Sequence, residues 1–145
     1  MPTTERQVFL VEDDPQDAEL FLLACRELDL DRHVVVLADA AQALKTLRQA
    51  ASAVLYPRSL PAVAILDLRM PGMNGLDFID AIRSDPHLAA LPLVVLTSSQ
   101  EPRDVLACYQ RGANAYVVKP TDFRQFLEAI QLLVRFWLLV NEPLQ

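Results

Sequence analysis

At 145 residues the chain suits one domain with room for a sizeable core and leaves no space for a second, and its 52% hydrophobic content excludes disorder. A formal charge of −6 and an isoelectric point near 4.8 exclude a nucleic-acid surface, because phosphate backbones require clustered Lys and Arg. Residues 1 to 7 lack the apolar core of a signal peptide, and the longest apolar block, Leu132 to Val140, is broken by Arg135 and too short to span a bilayer, so a cytoplasmic protein without membrane contact is expected.

Gln7 to Val11 reads as a strand running into Glu12-Asp13-Asp14-Pro15, where Asp14 can cap a helix, Pro15 can open it and Asp17 is a first-turn acid. Ala18, Phe21, Leu22, Cys25 and Leu28 repeat at helical spacing, and the helix is expected to end near Asp29. His33 to Leu37 is a short β-branched strand, and Asp39 with Gln42 forms a capping pair ahead of Ala43, Leu44 and Leu47. A loop around Tyr56 to Pro61 leads to Ala62-Val-Ala-Ile-Leu66, an apolar run ending in Asp67 and a Pro/Gly/Asn turn through Gly75. Such a run is the signature of a strand buried on both faces of a parallel sheet.

Leu76, Phe78, Ile79 and Ile82 mark a third helix that stops near Asp85-Pro86, since the residue before proline is pushed out of helical geometry. Pro92 to Leu96 is a fourth strand ending in Thr97-Ser98-Ser99, and a helix from about Pro102 to Gln110 can be closed by Gly112. Ala115 to Val118 is a fifth strand ending in Lys119-Pro120. A last helix capped by Asp122, with Gln125 at its third position, carries apolar residues as far as Val140. Cys25 and Cys108 are far apart and without CxxC spacing, which predicts buried free thiols.

Five strands alternating with five helices predict a flavodoxin-like (βα)5 doubly wound parallel sheet, strand order 2-1-3-4-5, with an extended C-terminal helix. The expected core spans about residues 6–134, with an extension over about 135–145. In that topology the ligand crevice lies between strands one and three, at the C-terminal strand edge. Glu12, Asp13 and Asp67 converge there, with Thr97 and Lys119 arriving from strands four and five. Grouped carboxylates repel one another unless a cation joins them, and an all-oxygen cluster suits Mg²⁺, with Asp13 and Asp67 expected as direct ligands. A hydroxyl and an ammonium opposite are the donors that a phosphoryl group needs on its equatorial oxygens, so Asp67 is the expected nucleophile of a self-phosphorylation.

These residues resemble the response-regulator receiver family over nearly the whole chain, from Val8 through the last helix. The resemblance implies Glu12 (through water), Asp13, Asp67 and the Arg69 carbonyl as metal ligands, and Asp67 as phosphoacceptor. It also implies Thr97 as the hydroxyl that contacts the phosphoryl group and moves on activation, Lys119 as its ion-pairing lysine ahead of a typically cis Pro120, and Tyr116 as a rotamer switch. The phosphodonor is then the histidine of a sensor kinase. Leu-Thr-Ser-Ser, Gly-Ala-Asn-Ala-Tyr-Val-Val-Lys-Pro and terminal Phe136-Trp137-Leu138 are similar to small regulators paired with bacterial phytochromes. A switching surface made by the fourth helix, fifth strand and fifth helix, and no DNA-binding output domain, are further expectations.

Other chemistry on the same fold fits less well. Neither GxGxxG nor GxxxxGK[ST] follows any strand, against a nucleotide site. A phosphoaspartate hydrolase needs a second acid two residues after the nucleophile, where Arg69 stands, so the chain is read as a signalling receiver catalysing only its own phosphorylation and dephosphorylation. An interaction module that has lost phosphorylation would not be expected to keep every site residue. On the last helix, Phe126, Leu127, Ile130, Leu133 and Trp137 form the stripe expected to face the sheet, while Leu132, Phe136 and Leu139 lie off it. An apolar patch there predicts a two-fold homodimer through Leu132, Phe136, Trp137 and Leu139, with Phe136 near its centre.

Overall fold

The computed structural model describes residues 6–52 and 60–143; most of the loop expected around Tyr56 to Pro61 lies outside them. Five parallel strands, β1 (Val8–Val11), β2 (Val34–Leu37), β3 (Val63–Leu66), β4 (Leu93–Thr97) and β5 (Ala115–Val118), form one sheet in the order β2-β1-β3-β4-β5. Five helices alternate with them: α1 (Pro15–Arg26), α2 (Ala40–Ala51), α3 (Gly75–Ser84), α4 (Pro102–Arg111) and α5 (Phe123–Arg135). The expected strand order and helix count are those observed. Val8 stands opposite both Val34 and Val63, so β1 sits between β2 and β3.

The strands' period of two divides the core between two layers. Val8, Leu10, Val63, Ile65, Val94 and Leu96 pack under α1 and α5, whereas Phe9, Val11, Ala64, Leu66 and Val95 pack under α2 and α3. This is why β1, β3 and β4 as far as Leu96 are apolar without alternation: every residue of each strand is buried. Caps read from the sequence recur in place. Asp14 accepts from the Gln16 and Asp17 amides, Asp39 from Gln42 and Asp122 from Gln125, and Gly112 ends α4 at φ +113°. Cys25 and Cys108 are free and buried, and burial pushes their thiols up to about 12 and about 11.

Two features depart from the expected pattern. A short 3-10 turn, Asp31–His33, follows α1, and Asp29 adopts a left-handed φ of +57°. At the other end, α5 closes at Arg135 and a π-helical turn, Phe136–Val140, follows, sealed by the Asn141 amide donating to the Phe136 carbonyl at 2.7 Å. The fully buried stripe is Phe126, Leu127, Ile130, Val134 and Leu138, and Leu133 and Trp137 pack half-buried against the same core. Both sets are apolar at helical spacing. The degree of burial belongs to the docking of α5 on α1, where Gln131 Nε2 also donates to the Ala24 carbonyl (3.1 Å) and to Glu27 (2.8 Å). Leu132, Phe136 and Leu139 are exposed, as the second stripe predicted, and Val140 joins them.

Arg83, at the end of α3, secures the sheet's opposite edge. Its guanidinium donates to the carbonyls of Ala89, Leu91 and Gly112 and to Asn114 Oδ1 at 2.7–2.9 Å, and Asn114 Oδ1 also accepts from the Leu93 amide. Burial holds Arg83 below its ordinary pKa.

Candidate functional site

Because the strands are parallel and in register, the residues that follow them emerge along one edge. The Glu12 amide donates to the Leu37 carbonyl, that of Asp67 to Val11 and that of Lys119 to Thr97, so the hydrogen-bond ladder itself places these side chains. Glu12 is buried, at 5% exposure, and so is Thr97 at 2%; each is a polar group whose burial demands partners.

Lys119 is the centre of the site. Its Nζ donates to Asp17 Oδ2 at 2.8 Å, Glu12 Oε1 at 2.9 Å and Asp67 Oδ2 at 3.0 Å. The second oxygens are also held: Glu12 Oε2 accepts from the Asp14 amide and Asp67 Oδ1 from the Arg69 amide, both at 3.3 Å. Burial alone would lower the Lys119 pKa, but bonds to Asp17 and Glu12 and the charge and bond of Asp67 outweigh it and raise it well above its usual range. For Glu12, burial raises the carboxyl, and Lys119 pulls back only part of that rise.

Three carboxylates and one ammonium leave the cluster two charges negative. One oxygen from each of Glu12, Asp17 and Asp67 lies within 4.8 Å of the others, a donor set of hard oxygens that fits a divalent cation. Among the described residues this is the one such group, and its composition differs from that expected. Asp13 stands outside it, half-buried, and Asp17 is its third member. Consecutive side chains leaving a strand diverge, so with Glu12 turned to Lys119 its neighbour Asp13 is not. Asp17 enters because α1 begins at the crevice and the third residue after cap Asp14 faces back into it. That offset was the available signal.

Thr97 Oγ1 accepts from the Ser99 amide at 3.4 Å, and a second chain of contacts runs outward from there. Ser99 Oγ donates to Asp104 Oδ2 at 2.6 Å, Arg69 Nη2 approaches the same oxygen at 3.8 Å, and Tyr116 Oη donates to the Ser99 carbonyl at 2.9 Å. The loops after β3 and β4 are thereby joined through the first turn of α4. Leu68, Arg69, Met70, Pro71, Asn74, Leu76 and Asp104 line a 540 Å³ cleft between the loop after β3, α3 and α4. Among the described residues no peptide is cis, so the Lys119–Pro120 bond is trans, correcting the isomer that the resemblance implied.

Gly75 holds the Asp67 loop closed. A Cβ there would lie 2.8 Å from the Asp67 carbonyl oxygen and 2.9 Å from Leu68 Cα, backbone atoms that cannot yield, while the Gly75 amide donates to the Leu68 carbonyl. Replacing a helical Gly by Ala ordinarily stabilises by roughly 0.5–1 kcal/mol. Here the clash reverses the sign, and Gly75→Ala is expected to destabilise by about 1–3 kcal/mol in urea unfolding. An unchanged midpoint would show that α3 moves away without cost.

A family profile described as the response regulator receiver domain matches residues 8–131. The chain belongs to the response regulator receiver family. The receiver is 30% identical over 131 residues to the response regulator Rcp1 of Synechocystis sp., spanning 90% of this chain and 88% of Rcp1. It also superposes on the Mn²⁺-bound form of Rcp1 with a TM-score of 0.83 at 27% identity, covering 97% and 99% of the two chains. Against the phosphorylated cyanobacterial phytochrome response regulator RcpA the TM-score is 0.85 at 29% identity, over 98% of this receiver and all of RcpA. The bacteriophytochrome response regulator AtBRR is 43% identical, with a TM-score of 0.71 over 97% of this chain and 100% of that one. No helix of the described residues is long and apolar enough to cross a membrane.

Proposed function

We propose that this receiver accepts a phosphoryl group on Asp67 from the phosphohistidine of a sensor kinase, in a Mg²⁺-dependent step. The observation that carries the reading is Lys119 Nζ bonded at once to Asp67, Glu12 and Asp17 at the mouth of the sheet. Asp67 is an anionic nucleophile with its charge partner already in place. Its carboxylate oxygen bonds to phosphorus as the bond from phosphorus to the histidine nitrogen breaks, and that electron pair returns to the imidazole. Glu12, Asp13, Asp67 and the Arg69 carbonyl are the proposed holders of Mg²⁺, with Asp17 near enough to join them. When bound, the ion neutralises the carboxylates and the transferring phosphoryl oxygens. Lys119 and Thr97 supply donors to those oxygens from the opposite side. Hydrolysis of the aspartyl phosphate returns the protein to its starting state, so its only turnover is on itself.

Thr97 and Tyr116 are proposed as the switch: Thr97 is buried beside Ser99, and Tyr116 is tethered to the Ser99 carbonyl, so a Thr97 displacement is felt at the start of α4. The readout is then the surface of α4, β5 and α5. Similarity to the phytochrome response regulator RcpA and the bacteriophytochrome response regulator AtBRR supports a bacteriophytochrome as the kinase; a cytoplasmic site of action is part of the same proposal. Incubation with acetyl phosphate and Mg²⁺ is expected to add the mass of one phosphoryl group, and EDTA to prevent it. Absence of that mass would leave a receiver fold serving only as an interaction module.

The exposed Leu132, Phe136, Leu139 and Val140 are proposed to pair with a second copy across a two-fold axis, with Trp137, edge-on to Phe136 at 5.0 Å, bordering the contact. Burying a whole Phe stabilises by roughly 1.5–3 kcal/mol, and with 45% of Phe136 still exposed each copy gains about 1 kcal/mol. Two copies, plus the charge that Asp would bury, place Phe136→Asp at a dimer weakened at least about tenfold in sedimentation equilibrium. Phosphorylation should be unchanged. Native protein that sediments as monomer would reserve the patch for the kinase.

A further inference from the structure

Asp17 has no part in the roles carried over from the receiver family, yet it makes the shortest bond to Lys119. An ammonium has three N–H donors, and here each meets one carboxylate: Asp17 at 2.8 Å, Glu12 at 2.9 Å and Asp67 at 3.0 Å. Two of the three come from one segment, the end of β1 and the first turn of α1. With two donors held from that side, the third is aimed across the crevice at Asp67 Oδ2, the oxygen opposite the one bonded by the Arg69 amide. Asp17 is itself fixed, because cap Asp14 binds the amides of Gln16 and Asp17 and locks the helix turn that carries it.

We propose that Asp17 is a positioning residue for phosphoryl transfer to Asp67: it tethers the Lys119 ammonium so that the lysine meets the incoming phosphoryl oxygens without a search. The inference rests on Asp67 being the phosphoacceptor. Asp17 makes no bond to phosphorus; the Asp67 oxygen–phosphorus bond forms as the donor's bond to phosphorus breaks. Were Glu12 to turn to a bound cation, Asp17 would still keep the lysine in place.

The test is a double-mutant cycle on the full chain, with acetyl phosphate and Mg²⁺, followed by intact mass. Asp17→Asn is expected to lower the phosphorylation rate at saturating donor about tenfold, the worth of one charge-assisted hydrogen bond, with KM for acetyl phosphate and the Mg²⁺ Kd changed less than about threefold. Asp17→Glu should recover part of the rate. In a Lys119→Ala background Asp17→Asn should change nothing further, because the residue acts through the lysine. An equal loss in both backgrounds, as a helix-dipole role for Asp17 would produce, overturns the proposal. So does a tenfold weaker Mg²⁺ Kd, which would make Asp17 a metal ligand, or an unaltered rate. Native protein that takes no phosphoryl group refutes the assignment of Asp67 instead. The pairing is then read from thermal unfolding of the same four proteins in EDTA, where additive effects of Asp17→Asn and Lys119→Ala would overturn it.

Discussion

Asp67→Asn is expected to give no phosphoryl adduct with acetyl phosphate under conditions that label the native protein fully, while its fold persists. The amide keeps the volume but removes the anionic oxygen that the proposed phosphoryl transfer requires. The surroundings show why the fold survives. Asp67 accepts from two donors, Lys119 Nζ on one oxygen and the Arg69 amide on the other, and an amide has a single oxygen to offer. One hydrogen bond is therefore lost, at a cost of about 1 kcal/mol. Against this, the cluster's excess negative charge falls by one, and Lys119 keeps Glu12 and Asp17 as partners. The melting temperature in EDTA should accordingly move by no more than a few degrees. Full labelling of the variant at another acid would remove Asp67 from its role, and a collapsed melting temperature would make it a structural residue first.

The second large effect is expected from Lys119→Met. The native site holds three carboxylates around one ammonium, with the lysine and Glu12 side chains almost wholly shielded from water. Removing one partner of such a group leaves uncompensated buried charge, which costs about 3–5 kcal/mol. For a chain of this length each kcal/mol moves Tm by about 2–4 °C, so a fall of about 10 °C in EDTA is expected. If Mg²⁺ binds as proposed, at 100 times its Kd it is expected to restore about 2.7 kcal/mol of that and to stabilise the variant more than the native protein.

The pH dependence has a definite sign. Burial raises Glu12 in the folded state above its ordinary 4.5, so the folded protein binds the proton more tightly than the unfolded chain. Its contribution is present in full below 4.5 and is lost as pH rises through the raised value. In Lys119→Met the opposing pull of the ammonium is gone, the rise is larger, and the deficit against native protein should shrink on acidification. Melting curves in EDTA from acid to neutral pH measure this directly. A deficit independent of pH would assign the loss to side-chain packing instead of charge.

Much of this was legible in the residues alone, for reasons that particular elements make plain. Val63 to Leu66 is apolar without alternation, which only a strand covered on both faces tolerates, and a carboxylate at its end has to emerge at the sheet's C-terminal edge. Once strand order follows from the alternation of strands and helices, Glu12, Asp67, Thr97 and Lys119 meet, because parallel register brings every strand end to the same edge. Caps such as Asp14, Asp39 and Asp122 are equally local, each being a bond between residues two or three apart.

What the tertiary structure alone decided is the direction of side chains where two elements meet. That Asp17 lies beside Glu12 depends on how α1 leaves β1, with Phe21 and Cys25 packed against the sheet. That Val134 and Leu138 are buried fully and Leu133 and Trp137 only in part depends on the rotation of α5 against α1, since both pairs satisfy the same helical period. The role of Arg83 was hidden for a related reason: apart from Asn114 its partners are the carbonyls of Ala89, Leu91 and Gly112, and a backbone acceptor leaves no trace in residue type. Sequence encodes which faces are apolar and where turns fall; the rotation that joins one face to another is a property of the assembled core.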